Sequence, residues 1–213
     1  MHPVLAQAIA SLTTMASSRP SAPEMVEALL DTEKSARRAK PQLTYSQLIG
    51  TWQLQFITGT KRSRQKAGIA LGAGRFIPPW LVQIHLQYSG INPNQNQDQS
   101  TEQSTKQPTG RSKAEWGQVK NSVSLGPLTL ALTGPTRLWP QTNSLAFDFT
   151  QMTIQIAGKI VYQGKIRGGT NQAQDFAQQS LKDQAFFTYF LVDDQALAAR
   201  GRGGGLALWT RCL

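Results

Sequence analysis

Phe186-Phe187-Thr188-Tyr189-Phe190-Leu191-Val192-Asp193-Asp194-Gln195-Ala196-Leu197-Ala198-Ala199-Arg200-Gly201-Arg202-Gly203-Gly204-Gly205-Leu206-Ala207-Leu208-Trp209-Thr210-Arg211 is the stretch that decides the fold class. Two runs of aromatic and aliphatic residues flank a segment in which Asp193-Asp194 and four glycines permit positive φ. That is the chemistry of a wide turn with bulges rather than of a helix. The pattern predicts a β-hairpin. An isolated hairpin is at best marginally stable in water, so the rest of the chain must supply a sheet for it to join.

The upstream partner is Leu48 to Phe56, where Trp52, Leu54 and Phe56 alternate with polar residues. Gly50-Thr51-Trp52 resembles the Gly-x-Trp that opens the first strand of lipocalin-like barrels. There an arginine of the last strand lies across the tryptophan, which implies that Arg211 covers Trp52 with a cation–π contact of about 1 to 2 kcal/mol. Taken together, the two stretches resemble the plastid lipid-associated protein, or fibrillin, family of plants and cyanobacteria. Leu48-Ile49-Gly50-Thr51-Trp52-Gln53-Leu54 matches its first strand, and Asp193 to Arg211 matches its ending: an acidic turn, an Arg-Gly, a glycine-rich hairpin and a terminal arginine.

The resemblance covers most of residues 40 to 213 and is specific at the two ends. Where the family often carries a second arginine this chain has Ala198-Ala199, and the polar insertion after Gly90 has no counterpart. The resemblance implies a lipocalin-like antiparallel β-barrel with Gly50, Trp52, Asp193, Asp194, Arg200 and Arg211 as signature or closure residues. It also implies non-enzymatic binding of a lipid, carotenoid or prenylquinone at a thylakoid or plastoglobule surface. The expected location is the cytoplasmic face of a thylakoid or other membrane in a cyanobacterium, and the plastid in a plant or alga.

Composition sets the outer bounds. A chain of 213 residues with 39% hydrophobic residues makes one domain with a real core. No apolar run reaches the roughly 20 residues of a spanning helix. The N-terminus lacks the charged, apolar and small-residue sequence of a signal peptide. Glu24, Glu27, Asp31 and Glu33 do not suit a transit peptide, so a bacterial cytosolic protein or a mature form is expected. The single cysteine, Cys212, excludes an intramolecular disulfide, and with His2 and His85 as the only histidines there is no zinc ligand set. No cofactor is expected.

Residues 1–40 read as an N-terminal helical segment preceding a barrel domain at 41–213. Val4, Leu5, Ala8, Ile9 and Leu12 fall on one face of a first helix. Ser21-Ala22-Pro23-Glu24 is a capping box with proline in the first turn, opening a second helix to about Arg38 with Met25, Val26, Leu29 and Leu30 inward. The pair is expected to cover a barrel mouth or sheet edge, as a lid, a plug or a brace.

After the first strand, Thr58 to Pro79 begins basic and ends apolar. Lys61, Arg62, Arg64 and Lys66, followed by Ile69, Leu71 and Phe76, suit an anionic membrane surface at roughly 1 kcal/mol per cation. The same loop can equally be solvated, its apolar half tucked into the barrel mouth. Trp80, Val82, Ile84, Leu86 and Tyr88 then alternate with polar positions as a strand, His85 on the polar side. The insertion at 92–112 is almost all polar and is expected to be disordered.

Short strands follow at about 114–120, 123–132, 144–150, 152–156 and 159–166, with Gly126-Pro127 and Gly134-Pro135 marking breaks or bulges. Met152, Ile154 and Ile156 alternate with Thr153 and Gln155. A curled sheet is either filled by side chains or holds one small ligand. Trp80, Tyr88, Trp116, Phe147, Phe149, Tyr162, Phe187 and Tyr189 are the aromatic residues available either to line a pocket or to fill a core.

Catalysis finds little support. Asp193 and Asp194 are adjacent, have no nearby histidine, cysteine or lysine, and suit hydrogen bonds to turn amides or a pairing with Arg200. The alternative readings are a basic nucleic-acid-binding protein and a bilin-handling barrel. The net charge of +10 and the Arg167-Gly168-Gly169 and Arg202-Gly203-Gly204 units fit the first. Both units sit between strands, where glycine serves turns, so the expected partners are a hydrophobic small molecule and an anionic membrane rather than nucleic acid.

Overall fold

The computed structural model describes residues 2–14, 19–59, 74–90, 115–166 and 176–212. Its frame is a closed antiparallel barrel of eight strands. Around the ring run β4 (Glu115–Leu125), β3 (Gln83–Gly90), β1 (Gly50–Ile57), β11 (Leu206–Arg211), β10 (Ala196–Gly201), β9 (Ala185–Val192), β6 (Ser144–Phe147) and β5 (Leu128–Trp139), and β5 pairs back onto β4. A two-residue β2 (Arg75–Phe76) adds to β1, and the hairpin of β7 (Gln151–Ile156) and β8 (Lys159–Lys165) extends from β5 outside the ring.

The C-terminal stretch makes three strands, not the two of a single hairpin. Ala196 to Gly201 pairs with β9 on one side and β11 on the other. The Asp193 carboxylate accepts hydrogen bonds from the Gln195 and Ala196 amides at 2.9 and 2.7 Å, tightening the first turn so that the chain reverses before the glycines. Arg200 does not pair with Asp193 or Asp194. Its Nε donates to the Glu33 carboxylate at 2.7 Å and its second terminal nitrogen completes a bidentate ion pair.

The helices α1 (Pro3–Thr14) and α2 (Ala22–Ala39) lie against the outer wall of the barrel rather than across a mouth. Ser21 and Glu24 form the capping box, with the Ser21 amide donating to the Glu24 carboxylate at 2.8 Å. Leu5, Ala8, Ile9, Met25, Ala28 and Leu29 pack on Phe56, Phe190, Ala196, Ala198, Leu206 and Leu208. Ala198 and Ala199 are fully buried, the first under the helices and the second inside the barrel. Phe56 reaches the outer wall because a bulge between Leu54 and Phe56 breaks the alternation, turning Phe56 outward while Trp52 and Leu54 face the interior.

One end of the barrel is plugged. A short α3 (Tyr45–Leu48) precedes β1, so the first strand starts at Gly50 and Leu48 is helical. Tyr45 drops its ring over Gly117, where a Cβ would come within 1.9 Å of the phenol oxygen, and its hydroxyl meets Thr136 Oγ1 at 2.7 Å. Trp52 Nε1 donates to the Leu48 carbonyl at 2.8 Å. Asn143, which follows a 3₁₀ turn at Pro140–Thr142, ties the approach to this plug by accepting from the Leu43 amide and donating to the Pro41 carbonyl.

The opposite end flares. β5 pairs with β6 through Thr136–Trp139 but with β7 through Leu128–Thr133. Gly134-Pro135 does not break the strand; it is where β5 changes partner. A Cβ on Gly134 would come within 1.9 Å of the Asp148 carbonyl, so only glycine lets the departing segment cross this closely.

Candidate functional site

Residues paired across an antiparallel ladder share a face, so register alone assembles the site. One row runs Leu86, Asn121, Leu132, Met152, Gly164 across β3, β4, β5, β7 and β8. The next runs Ile84, Val123, Leu130, Ile154, Tyr162, and a last row at the turns holds Leu125, Leu128 and Ile156. Leu86 and Val119 belong to the interior cluster, so this face is the barrel's inner surface continued beyond the ring.

The opposite face of the same strands reads His85, Ser122, Ala131, Thr153, Gln163 and Gln83, Ser124, Thr129, Gln155, Ile160, mainly polar apart from Ala131 and an exposed Ile160. Ser124 and Thr129 exchange a hydrogen bond at 3.0 Å there. The extension is therefore an amphipathic sheet whose apolar side has only partial cover. Beyond Leu86 no residue of the three rows is buried, and Leu125, Leu128, Ile156 and Tyr162 stand 50, 42, 49 and 47% exposed. Soluble domains seldom leave a contiguous apolar patch of this kind unless something binds it.

The inner end of this trough is aromatic. Phe147, Phe149, Phe187, Ile77 and Ile84 are half-buried against the interior cluster. The Phe147 ring lies 5.4 Å from Phe149 and 5.0 Å from Phe187, which in turn lies 5.4 Å from Trp209. At the rim, Trp80 sits in a turn whose Pro78 carbonyl accepts from the Leu81 and Val82 amides, and its indole is 84% exposed.

Of the aromatic residues singled out from the sequence, Phe147, Phe149 and Phe187 reach the trough, Tyr162 lies on its outer wall and Trp80 at its rim. Tyr88 and Tyr189 are deeper, fully inside the barrel, with their hydroxyls 2.7 Å apart. Burial pushes both phenols well above their ordinary range, so the pair is a neutral filler of the interior. Trp116 lines nothing: it faces outward, beneath Phe176 and beside the Arg137 guanidinium.

Gly50, Trp52 and Arg211 come together at barrel closure, the guanidinium 4.1 Å above the indole. Lys61, Arg62, Arg64, Lys66, Ile69 and Leu71 lie outside the described residues. Phe76 is partly buried on the helix-covered wall, its ring 4.9 Å from Phe56 and 4.8 Å from the Arg19 guanidinium. Arg202 is engaged in its turn, donating to the Gln184 carbonyl at 3.1 Å.

Sequence reasoning passed over Val123, Leu130 and Leu132 as site residues. Their alternation was visible, but their common face became a site only through the pairing of β5 with β7. A second recess of about 500 Å³, on the outer wall, is lined by Glu33, Arg37, Lys40, Phe190 and Arg200, where the single carboxylate, Glu33, pairs with both Arg37 and Arg200 and the lining keeps an excess of positive charge. Among the described residues no group of three histidine, cysteine, aspartate or glutamate side chains could hold a metal, and no helix is long and apolar enough to cross a membrane. No family model and no curated protein matches the chain.

Proposed function

We propose that this protein is a non-enzymatic binder of lipid-class hydrophobic molecules, a lipid, carotenoid or prenylquinone, working at a membrane surface as a carrier or protective protein. The carrying observation is the apolar face formed by Ile84, Val123, Leu130 and Ile154, left half-open where the sheet flares. Its polar reverse side keeps the extension in water, while the apolar side awaits cover. Since the plugged end and the interior are occupied by side chains, the ligand belongs on the flared sheet and against Phe147 and Phe149 rather than deep in the ring.

Exposed Trp80 and Leu81 at the rim suit the boundary between headgroups and acyl chains, and the net charge of +10 suits an anionic leaflet. The ends of the chain resemble the plastid lipid-associated, or fibrillin, family, and that resemblance favours a photosynthetic membrane. The test is native mass spectrometry of protein isolated from its own cells, with organic extraction of the same sample. A stoichiometric hydrophobic adduct that disappears in Leu130→Asp/Ile154→Asp is the expected result. A bare mass, with an extract no richer than control, withdraws the proposal.

A further inference from the structure

We infer that the recess on the outer wall, between α2 and the barrel, binds a phosphate monoester carried on an apolar body. It is separate from the trough and does not depend on the function proposed for that surface. Glu33, Ala36, Arg37 and Lys40 recur at helical spacing, so one stripe of α2 lines the recess. Thr188 and Phe190 share a face of β9, and Arg200 of β10 is the ladder partner of Thr188, so the barrel's outer face supplies these three. Pro41, Gln42 and the turn at Pro140–Thr142 complete the lining, tied together where Asn143 bonds to Leu43 and Pro41.

The charges do not cancel. Glu33 is the one carboxylate in the lining, against Arg37, Lys40 and Arg200. Arg200 grips it through two nitrogens and donates from the third to the Gly204 carbonyl at 2.7 Å, which fixes that cation in place. Arg37 gives Glu33 only its Nη2, at 2.9 Å, and Lys40 has no ion pair among the described residues. Two positive charges are left over. The C-terminal end of α2 opposes them with about half a charge, so an anion is still favoured. A phosphate monoester carries about −1.5 to −2 at neutral pH and offers several acceptors to a guanidinium fork and an ammonium. The recess, at about 500 Å³, has the size of a small-molecule site and is larger than one phosphate. Phe190, Ala36, Pro41 and Pro140 supply the apolar surface for the rest of the ligand.

The test is isothermal titration of the full chain with hexyl phosphate, hexanol and inorganic phosphate, repeated on Arg37→Gln/Lys40→Gln. Both side chains are exposed, so this variant should melt as the wild type does. Wild type is expected to bind hexyl phosphate about tenfold more tightly than either control, and the variant to lose about tenfold in that affinity. Lys159→Gln/Lys165→Gln, which removes the same charge from β8 outside the recess, should bind as wild type does. No binding of hexyl phosphate, equal binding of either control, an affinity that survives Arg37→Gln/Lys40→Gln, or an equal loss in the β8 variant overturns the inference. Flotation with phosphatidylcholine vesicles carrying phosphatidic acid, or phosphatidylglycerol at matched charge, then identifies the source. A preference for phosphatidic acid that Arg37→Gln/Lys40→Gln abolishes means a lipid headgroup; no preference, with hexyl phosphate bound, means a free organic phosphate.

Discussion

The Arg211 guanidinium lies 4.1 Å above the Trp52 ring, and the two residues are direct partners where the last strand meets the first. Arg211 also donates to the Asp194 carbonyl at 2.7 Å and to the Ile49 carbonyl at 3.2 Å, so it ties the β9–β10 turn and the entrance of β1 to the same indole. Gly50, at φ +137°, makes room: a Cβ there would come within 2.5 Å of the guanidinium. Trp52 is fully buried, and Trp52→Ala should cost about 3 to 5 kcal/mol in urea unfolding. Arg211→Ala should cost about 1 to 2 kcal/mol. An unchanged midpoint for Trp52→Ala would remove its closure role.

The hydroxyls of Tyr88 and Tyr189 satisfy each other in the barrel interior. Either single Tyr→Phe change leaves a buried hydroxyl without this partner and should cost about 1 to 3 kcal/mol, whereas the double change should cost less than the sum. A double-mutant cycle measured by denaturation reads the coupling directly. Additive costs would show that the two hydroxyls do not depend on each other.

Alkaline pH should weaken the fold through the same interior. Burial raises the Tyr45 phenol to about 12, and raises Tyr88 and Tyr189 as well. A phenol whose folded value lies above its unfolded value of 10 contributes stability that is complete below pH 10 and is lost as pH rises toward the folded value. Melting temperature should therefore fall between pH 10 and about 12, with less of a fall in Tyr45→Phe. A flat profile over that window would contradict the burial of these rings.

Acid acts on the helical brace. Hydrogen bonding to Arg200 holds the Glu33 carboxyl below its ordinary 4.5, against an opposing effect of burial, with Arg37 adding to the shift. A depressed carboxyl contributes stability that is present above pH 4.5 and lost as pH falls through its folded value. Limited proteolysis near Lys40 should accelerate below that pH, and the acceleration should be smaller in Glu33→Gln. Glu33→Ala should cost about 2 kcal/mol, less than a fully buried pair because the Arg200 side chain is 29% exposed.

Membrane attachment can be separated from ligand binding. Neutralising Lys61, Arg62, Arg64 and Lys66 together should reduce sedimentation with anionic liposomes by an order of magnitude or more, at roughly 1 kcal/mol per charge, with no change in melting temperature. Added salt should have a similar effect on the wild type. Unaltered sedimentation would take these cations out of the membrane role.

Much of the architecture was written in local pattern. Ser21 and Glu24 announce the start of α2, Ile84, Leu86 and Tyr88 the inward face of β3, and Trp52 with Arg211 the closure of the ring, because caps, alternation and cation–π chemistry act over a few residues or between two recognisable ends. Other features were decided only when distant segments met. The bulge that sends Phe56 outward depends on its ladder with Leu208. The helices settled on the wall because small residues, Ala196 and Ala198, open space there for Leu5, Met25 and Leu29. Alternation identifies which side chains share a face of one strand. It does not say which strands will pair, or what will cover that face. The apolar face around Leu130 and Ile154 forms because β5 changes partners at Gly134-Pro135, a non-local choice that carries this face beyond the ring, where the described residues cover it only in part.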